Sequence, residues 1–136
     1  MGLELLSKVN ERGFEKFTQV AEHMSKIFNA CRNTREDLHI AFMFHDMIET
    51  AEGYVTERRI QIPGNLLKKE LSPEQILTHV LYTKVDYDPI SGKSDYKFVT
   101  NRTATLPAKT PRGMFEEIEI PNDLTFVFSK MNEYYS

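Results

Sequence analysis

The chain has 136 residues, 40% hydrophobic and 11% aromatic, which is enough for one ordinary core and predicts a single domain over 1–136. Lys and Arg total 17 against 20 Asp and Glu, and a formal net charge of -3 excludes the strongly basic field of a free-standing nucleic-acid binder, so any DNA contact must come from a local patch. A lone cysteine, Cys31, excludes a disulfide framework and a cysteine-based zinc site, and no apolar run reaches the roughly 18 residues of a membrane span; the expected setting is a reducing cytoplasm, without membrane.

In chain order, Leu3, Leu5, Leu6 and Val9 suggest a first helical turn interrupted near Gly13. Phe14, Phe17, Val20, Ala21, Met24, Ile27, Phe28 and Cys31 then recur at steps of three and four, with Glu15, Lys16, Glu22, Lys26 and Arg32 opposite, which predicts an amphipathic helix with a buried Cys31. Asn33 to Asp37 is a polar break. Leu38 to Phe44 is almost continuously apolar and reads as a central strand covered on both faces. His39 in that run, like His23 and His79, has no second ligand at metal-binding spacing.

Tyr54 to Ile62 is strand-like, with Arg58 and Arg59 in its middle, and Pro63-Gly64 ends it; Asn65 to Leu71 suits a short helix. Ser72, Pro73 and Gln75 supply an N-cap, a first-position proline and a capping partner for one more turn. Leu77 to Asp86 and Asp95 to Asn101 predict a β-hairpin across Tyr87 to Ser94, and Thr103 to Gly113 reads as loop. Glu116 to Ile120 alternates as a short strand does, and Pro121-Asn122-Asp123 starts a last helix with Leu124, Val127, Phe128 and Met131 on its inner face.

Two motifs invite a catalytic reading that their context refuses. Ser91-Gly92-Lys93-Ser94 holds the Gly-Lys-Ser core of a phosphate loop, but Tyr87 stands where the leading glycine belongs and strands flank the string on both sides. His45-Asp46 lacks the further ligands of a metal-dependent phosphohydrolase, so no metal site is expected. Arg58-Arg59 suits either a solvated strand face or a phosphate, for which the guanidinium fork is well matched.

Several segments together resemble the C-terminal half of the RecA-like P-loop ATPases of bacteriophages, the group tied to single-strand annealing and recombination. They are Gly13-Phe14-Glu15-Lys16-Phe17-Thr18, Arg35-Glu36-Asp37-Leu38, Phe44-His45-Asp46, Gly64 with Leu66-Leu67, and Val80-Leu81-Tyr82-Thr83. The most specific are Tyr96 to Asn101, Ala108 to Phe115 and Ile120-Pro121-Asn122-Asp123-Leu124.

The resemblance implies a partial RecA-like α/β fold, central strands flanked by helices with an added β-hairpin, without the phosphate loop and the magnesium-holding acidic strand. It places His45 where a γ-phosphate sensor stands and makes Met47 to Arg59 a DNA-facing loop, with Tyr54, Arg58, Arg59, Lys68 and Lys69 as DNA contacts. Arg58, Arg59, Lys68 or Lys69 could also reach a neighbouring subunit's nucleotide. The implied function is to complete an ATPase in trans, with ATP and Mg bound only beside a phosphate-loop-containing half, and with single-stranded DNA and further copies as partners. The alternative from the residues is a stand-alone phage interaction or regulatory module that binds no nucleotide.

Overall fold

The computed structural model describes residues 13–61 and 73–136. They fall into two compact units, 13–45 with Gln61 and Pro73 in one, and 46–60 with 74–136 in the other. The predicted turn before Gly13, the helix over Asn65 to Leu71, the Pro63-Gly64 stop and the capping role of Ser72 lie outside the described residues, as do Lys68 and Lys69.

In the first unit the three- and four-residue spacing of apolar side chains yields helix α1, Gly13–Arg32, closed by Arg32, whose charge complements the carbonyl end of the helix. Phe28 is its buried anchor. Phe42 meets the Phe28 ring edge to face at 5.1 Å, and Phe44 lies at 6.5 Å from it. Cys31, expected to be buried, is half-buried.

The stretch Leu38 to Phe44 departs from expectation, since it forms no strand. Phe42 and Phe44 turn inward while Met43 between them is 92% exposed. That one-sided alternation differs from the two-sided burial of a central strand, so the apolar run here signals an aromatic cluster and not sheet pairing.

The second unit contains all five strands of the described residues, and every pairing is antiparallel. The parallel sheet characteristic of helix-crossover α/β folds is therefore not what the described residues form; they are mixed α and β with two small antiparallel sheets. β1 (Asp46–Ala51) and β2 (Tyr54–Ile60) make a hairpin. After the single turn α2 (Pro73–Ile76), β3 (Tyr82–Asp88), β4 (Lys93–Val99) and β5 (Glu119–Pro121) form a sheet in that order, and α3 (Leu124–Tyr135) follows. The tip of the β3–β4 hairpin holds Gly92 at φ 68°, so Ser91-Gly92-Lys93-Ser94 is turn chemistry, as expected, and no helix N-terminus follows it.

The base of this sheet is covered on both faces. Tyr82 and Val99 pack on one side with Val80, Ala108, Leu77 and Leu106. On the other, Phe98 and Ile120 pack with Met114, Phe115 and Val127 of α3. Asp123 caps α3 by accepting from the backbone N–H of Thr125 at 2.8 Å and of Phe126 at 3.4 Å.

Thr100, 0% exposed, joins these layers. Its hydroxyl donates to the Glu117 carbonyl at 2.7 Å, and its N–H donates to the Ile118 carbonyl at 2.8 Å. Asn101 then donates to the Thr100 hydroxyl and accepts from Thr110. The segments Tyr96 to Asn101 and Ala108 to Phe115 thus place their most demanding residues in a buried polar clamp and the apolar core.

Candidate functional site

The predicted DNA-facing loop over Met47 to Arg59 is an ordered ribbon. Polar β1 looks loop-like in sequence, but Glu52 and Gly53, at φ 53° and 81°, give the doubly positive turn whose twist suits two-residue hairpins. Ala51 and Tyr54 pair across it. Thr56 is the extra residue of a bulge, and its hydroxyl donates to the Glu49 carbonyl at 3.1 Å. Tyr54, 77% exposed, stands beside the turn.

The ribbon is anchored along β2. The Arg58 N–H donates to the Thr105 carbonyl at 2.7 Å, and the Ile60 N–H to a Glu74 carboxylate oxygen at 2.8 Å. Behind it, the buried Tyr82 hydroxyl donates to the Arg58 carbonyl at 3.5 Å. Burial first, then the charges of Glu74, Asp46 and Glu57, push the Tyr82 phenol well above its ordinary pKa, so the field at the ribbon base is negative.

The two arginines do not act as a pair. Neighbours along a strand point to opposite faces, and Arg58 and Arg59 each find a carboxylate of their own. Arg58 Nη1 meets Asp46 Oδ2 at 2.8 Å. Arg59 Nε lies 3.3 Å from Glu57 and 3.8 Å from Glu49, which relieves the direct opposition of Glu49 and Glu57 across the strands. Although partial burial by itself lowers the pKa of Arg59, the bond to Glu57 and the charges of Glu49, Glu57 and Glu74 raise it overall. Arg102, which the sequence reading did not single out, brings Nη2 to 3.5 Å from Glu57. Only the Asn101-Arg102 turn after a strand hinted at it. From Asp46 to Ile60, four acids (Asp46, Glu49, Glu52, Glu57) face two arginines, a formal charge of -2. This ribbon is not the basic patch that the sequence suggested.

His45 does not end a central strand, since none forms before it. It is exposed just ahead of β1, and its carbonyl accepts from the Gln61 N–H at 2.7 Å. It belongs to the first unit and the arginines to the second. Among the described residues no group of three or more His, Cys, Asp or Glu is placed to hold a metal ion, and no helix is long and apolar enough to cross a membrane.

A concave feature of about 570 Å³ lies between α3 and residues 113–117. Met114, Phe115, Ile120 and Phe126 line its floor and Glu116, Glu117 and Glu133 its rim. Lys130 on the rim is already paired with Glu133 at 3.3 Å. Its acidic, partly apolar lining suits no phosphate.

No protein-family model, no curated protein and no solved structure matches this chain.

Proposed function

We propose that the chain serves as the C-terminal part of a phage RecA-like DNA recombination and annealing ATPase, silent alone and working beside a subunit that carries the phosphate loop. ATP and Mg bind only in the completed assembly. Support comes from the quoted segments of resemblance and from the absence of a working phosphate loop in the sequence: the Gly-Lys-Ser string is a hairpin tip. Without loop amides, lysine and magnesium, the charge that develops on a transferring phosphoryl group has no cradle.

The observation that carries the role of the ribbon is Tyr54, 77% exposed beside a tight turn, with Arg58 at the base held by the exposed Asp46 and Arg59, itself exposed, by the half-buried Glu57. Such surface ion pairs contribute only about 0–1 kcal/mol, so a phosphate offered by DNA or by a neighbour's nucleotide can replace the carboxylate at either arginine. A bidentate guanidinium contact would then form, and Tyr54 offers a face on which a base stacks. Because the arginines lie on opposite faces, only one of them meets a given phosphate. In this reading His45, exposed, is the hydrogen-bond partner of the γ-phosphate, and the sequence offers Lys68 and Lys69 as further phosphate contacts.

The formal charge of -2 on the ribbon favours a second reading, a protein-interaction module that binds no nucleotide. Fluorescence anisotropy with a labelled oligothymidylate separates the two. The DNA reading expects weak binding that weakens with salt and is lost in Tyr54→Ala and in the pair Arg58→Ala with Arg59→Ala. Binding that none of these changes alters, or no binding at low salt, would leave the interaction module.

A further inference from the structure

Beyond the ribbon, the β3–β4 hairpin extends past β5 with its two faces chemically distinct. One face carries Lys84, Asp86, Lys97 and Asp95, cross-linked with Glu119: Lys84 Nζ reaches Glu119 at 2.5 Å and Asp86 at 3.3 Å, and Lys97 bridges Asp86, Asp95 and Glu119, each at 3.3 Å. The other face carries Thr83, Val85 and Tyr87 beside Tyr96, and Val85 and Tyr87 are 51% and 64% exposed.

The hydrogen-bond phase of the sheet decides which backbone groups remain. Tyr96 accepts from the Asn122 N–H, and the Thr100 N–H donates to Ile118, so the even positions of β4 direct their backbone toward β5. Its odd positions therefore bond to β3, to the partners of Asp95, Lys97 and Val99, which are Asp86, Lys84 and Tyr82. The N–H and C=O groups of Thr83, Val85 and Tyr87 are left on the outer edge of β3, where no strand pairs with them among the described residues. An unpaired edge of this kind is a template for another strand.

We infer that β3 pairs antiparallel with β3 of a second copy of this chain across a two-fold axis at Val85, joining two three-stranded sheets into one of six strands. The charges select this register. Outward-facing groups meet only if Thr83, Val85 and Tyr87 lie opposite one another in some order. With Val85 opposite Val85 of the second copy, Thr83 faces Tyr87 and Lys84 faces Asp86, twice by symmetry. Sliding one step toward the base sets Lys84 against Lys84, and one step toward the tip sets Asp86 against Asp86 between two Lys84–Asp88 pairs; sliding further toward the tip sets Asp86 against Asp88, and further toward the base leaves Lys84 opposite Tyr82 with no opposite charge. Opposite charges directly across an antiparallel pair stabilise it and like charges oppose it, and the contact is self-complementary as a two-fold interface requires. This inference does not depend on the ATPase reading.

Sedimentation velocity of the full chain across a concentration series, with amide exchange by NMR, tests it. We expect a reversible dimer. The Thr83, Val85 and Tyr87 amides should gain protection with concentration, on the order of tenfold or more, while the Lys84 and Asp86 amides, bonded to β4, stay protected throughout. Val85→Pro removes an outward donor without touching the β3–β4 ladder and should give monomer. Asp86→Lys should weaken the dimer roughly tenfold, and adding Lys84→Asp to it should restore association. A wild-type monomer at every concentration would overturn the inference. So would a dimer indifferent to Val85→Pro, or concentration-independent exchange at Val85.

Discussion

Replacing Thr100 by valine keeps its shape and removes one hydroxyl, which makes Thr100→Val the sharpest probe of the clamp that ties residues 117–118 to β4. The side chain is 0% exposed, and its Oγ1 donates to the Glu117 carbonyl at 2.7 Å while accepting from Asn101 at 3.2 Å. Valine leaves that carbonyl and the Asn101 amide without their partner in a water-poor site. Stranding a buried polar group costs about 1–3 kcal/mol. For a unit of this size each kcal/mol lowers the melting temperature by about 4–8 °C, so a fall of roughly 5–15 °C is expected by circular dichroism, with native secondary structure retained at 20 °C or so. A fall below about 2 °C would refute the claim that Thr100 ties residues 117–118 to β4, because a hydroxyl already satisfied by water would lose nothing on removal.

Three further changes follow from the same geometry. Asp123→Ala removes both cap bonds of α3 and should destabilise by about 1 kcal/mol in urea titration; no change would mean that the helix end is satisfied by solvent. Glu52 sits at φ 53°, a conformation asparagine tolerates better, so Glu52→Asn should raise stability by a few tenths of a kcal/mol, read as a shift in the urea midpoint. His79 is held by burial below its ordinary value of 6.5, with Tyr135 Oη 3.3 Å from Nε2. The unfolded chain therefore binds the proton first, so stability present at neutral pH declines as the pH falls through 6.5 toward the lower folded value and declines no further from this group below it. His79→Gln should flatten that part of the stability-pH curve, and an unchanged slope would remove His79 as its source.

The sequence made local chemistry readable and left pairing obscure. Helix α1 was legible because Phe28 and its neighbours repeat at helical steps, α3 because Asp123 is a cap before an apolar stripe, and the β3–β4 tip because Gly92 sits between strand-like runs. Leu38 to Phe44 misled because an apolar run reports burial without saying what it pairs with; here Phe42 and Phe44 cover Phe28 and Met43 faces solvent. The ribbon was half seen. Tyr54 to Ile60 has strand residues, but polar Asp46 to Ala51 becomes a strand only because the Glu52-Gly53 turn folds it back. Register was invisible, and register is what hands Arg58 to Asp46 and brings Glu49 to Arg59 beside Glu57 of its own strand, turning an apparent basic patch into ion pairs on opposite faces.

The central claim, that this chain assists an ATPase and does not run one, is met most directly by following phosphate release from ATP and Mg with the purified chain, first alone and then mixed with a phosphate-loop-bearing RecA-like phage subunit. The account predicts background release alone and turnover in the mixture that falls in Arg58→Ala or Arg59→Ala. Steady turnover by the chain alone, with one nucleotide held per chain, would contradict it.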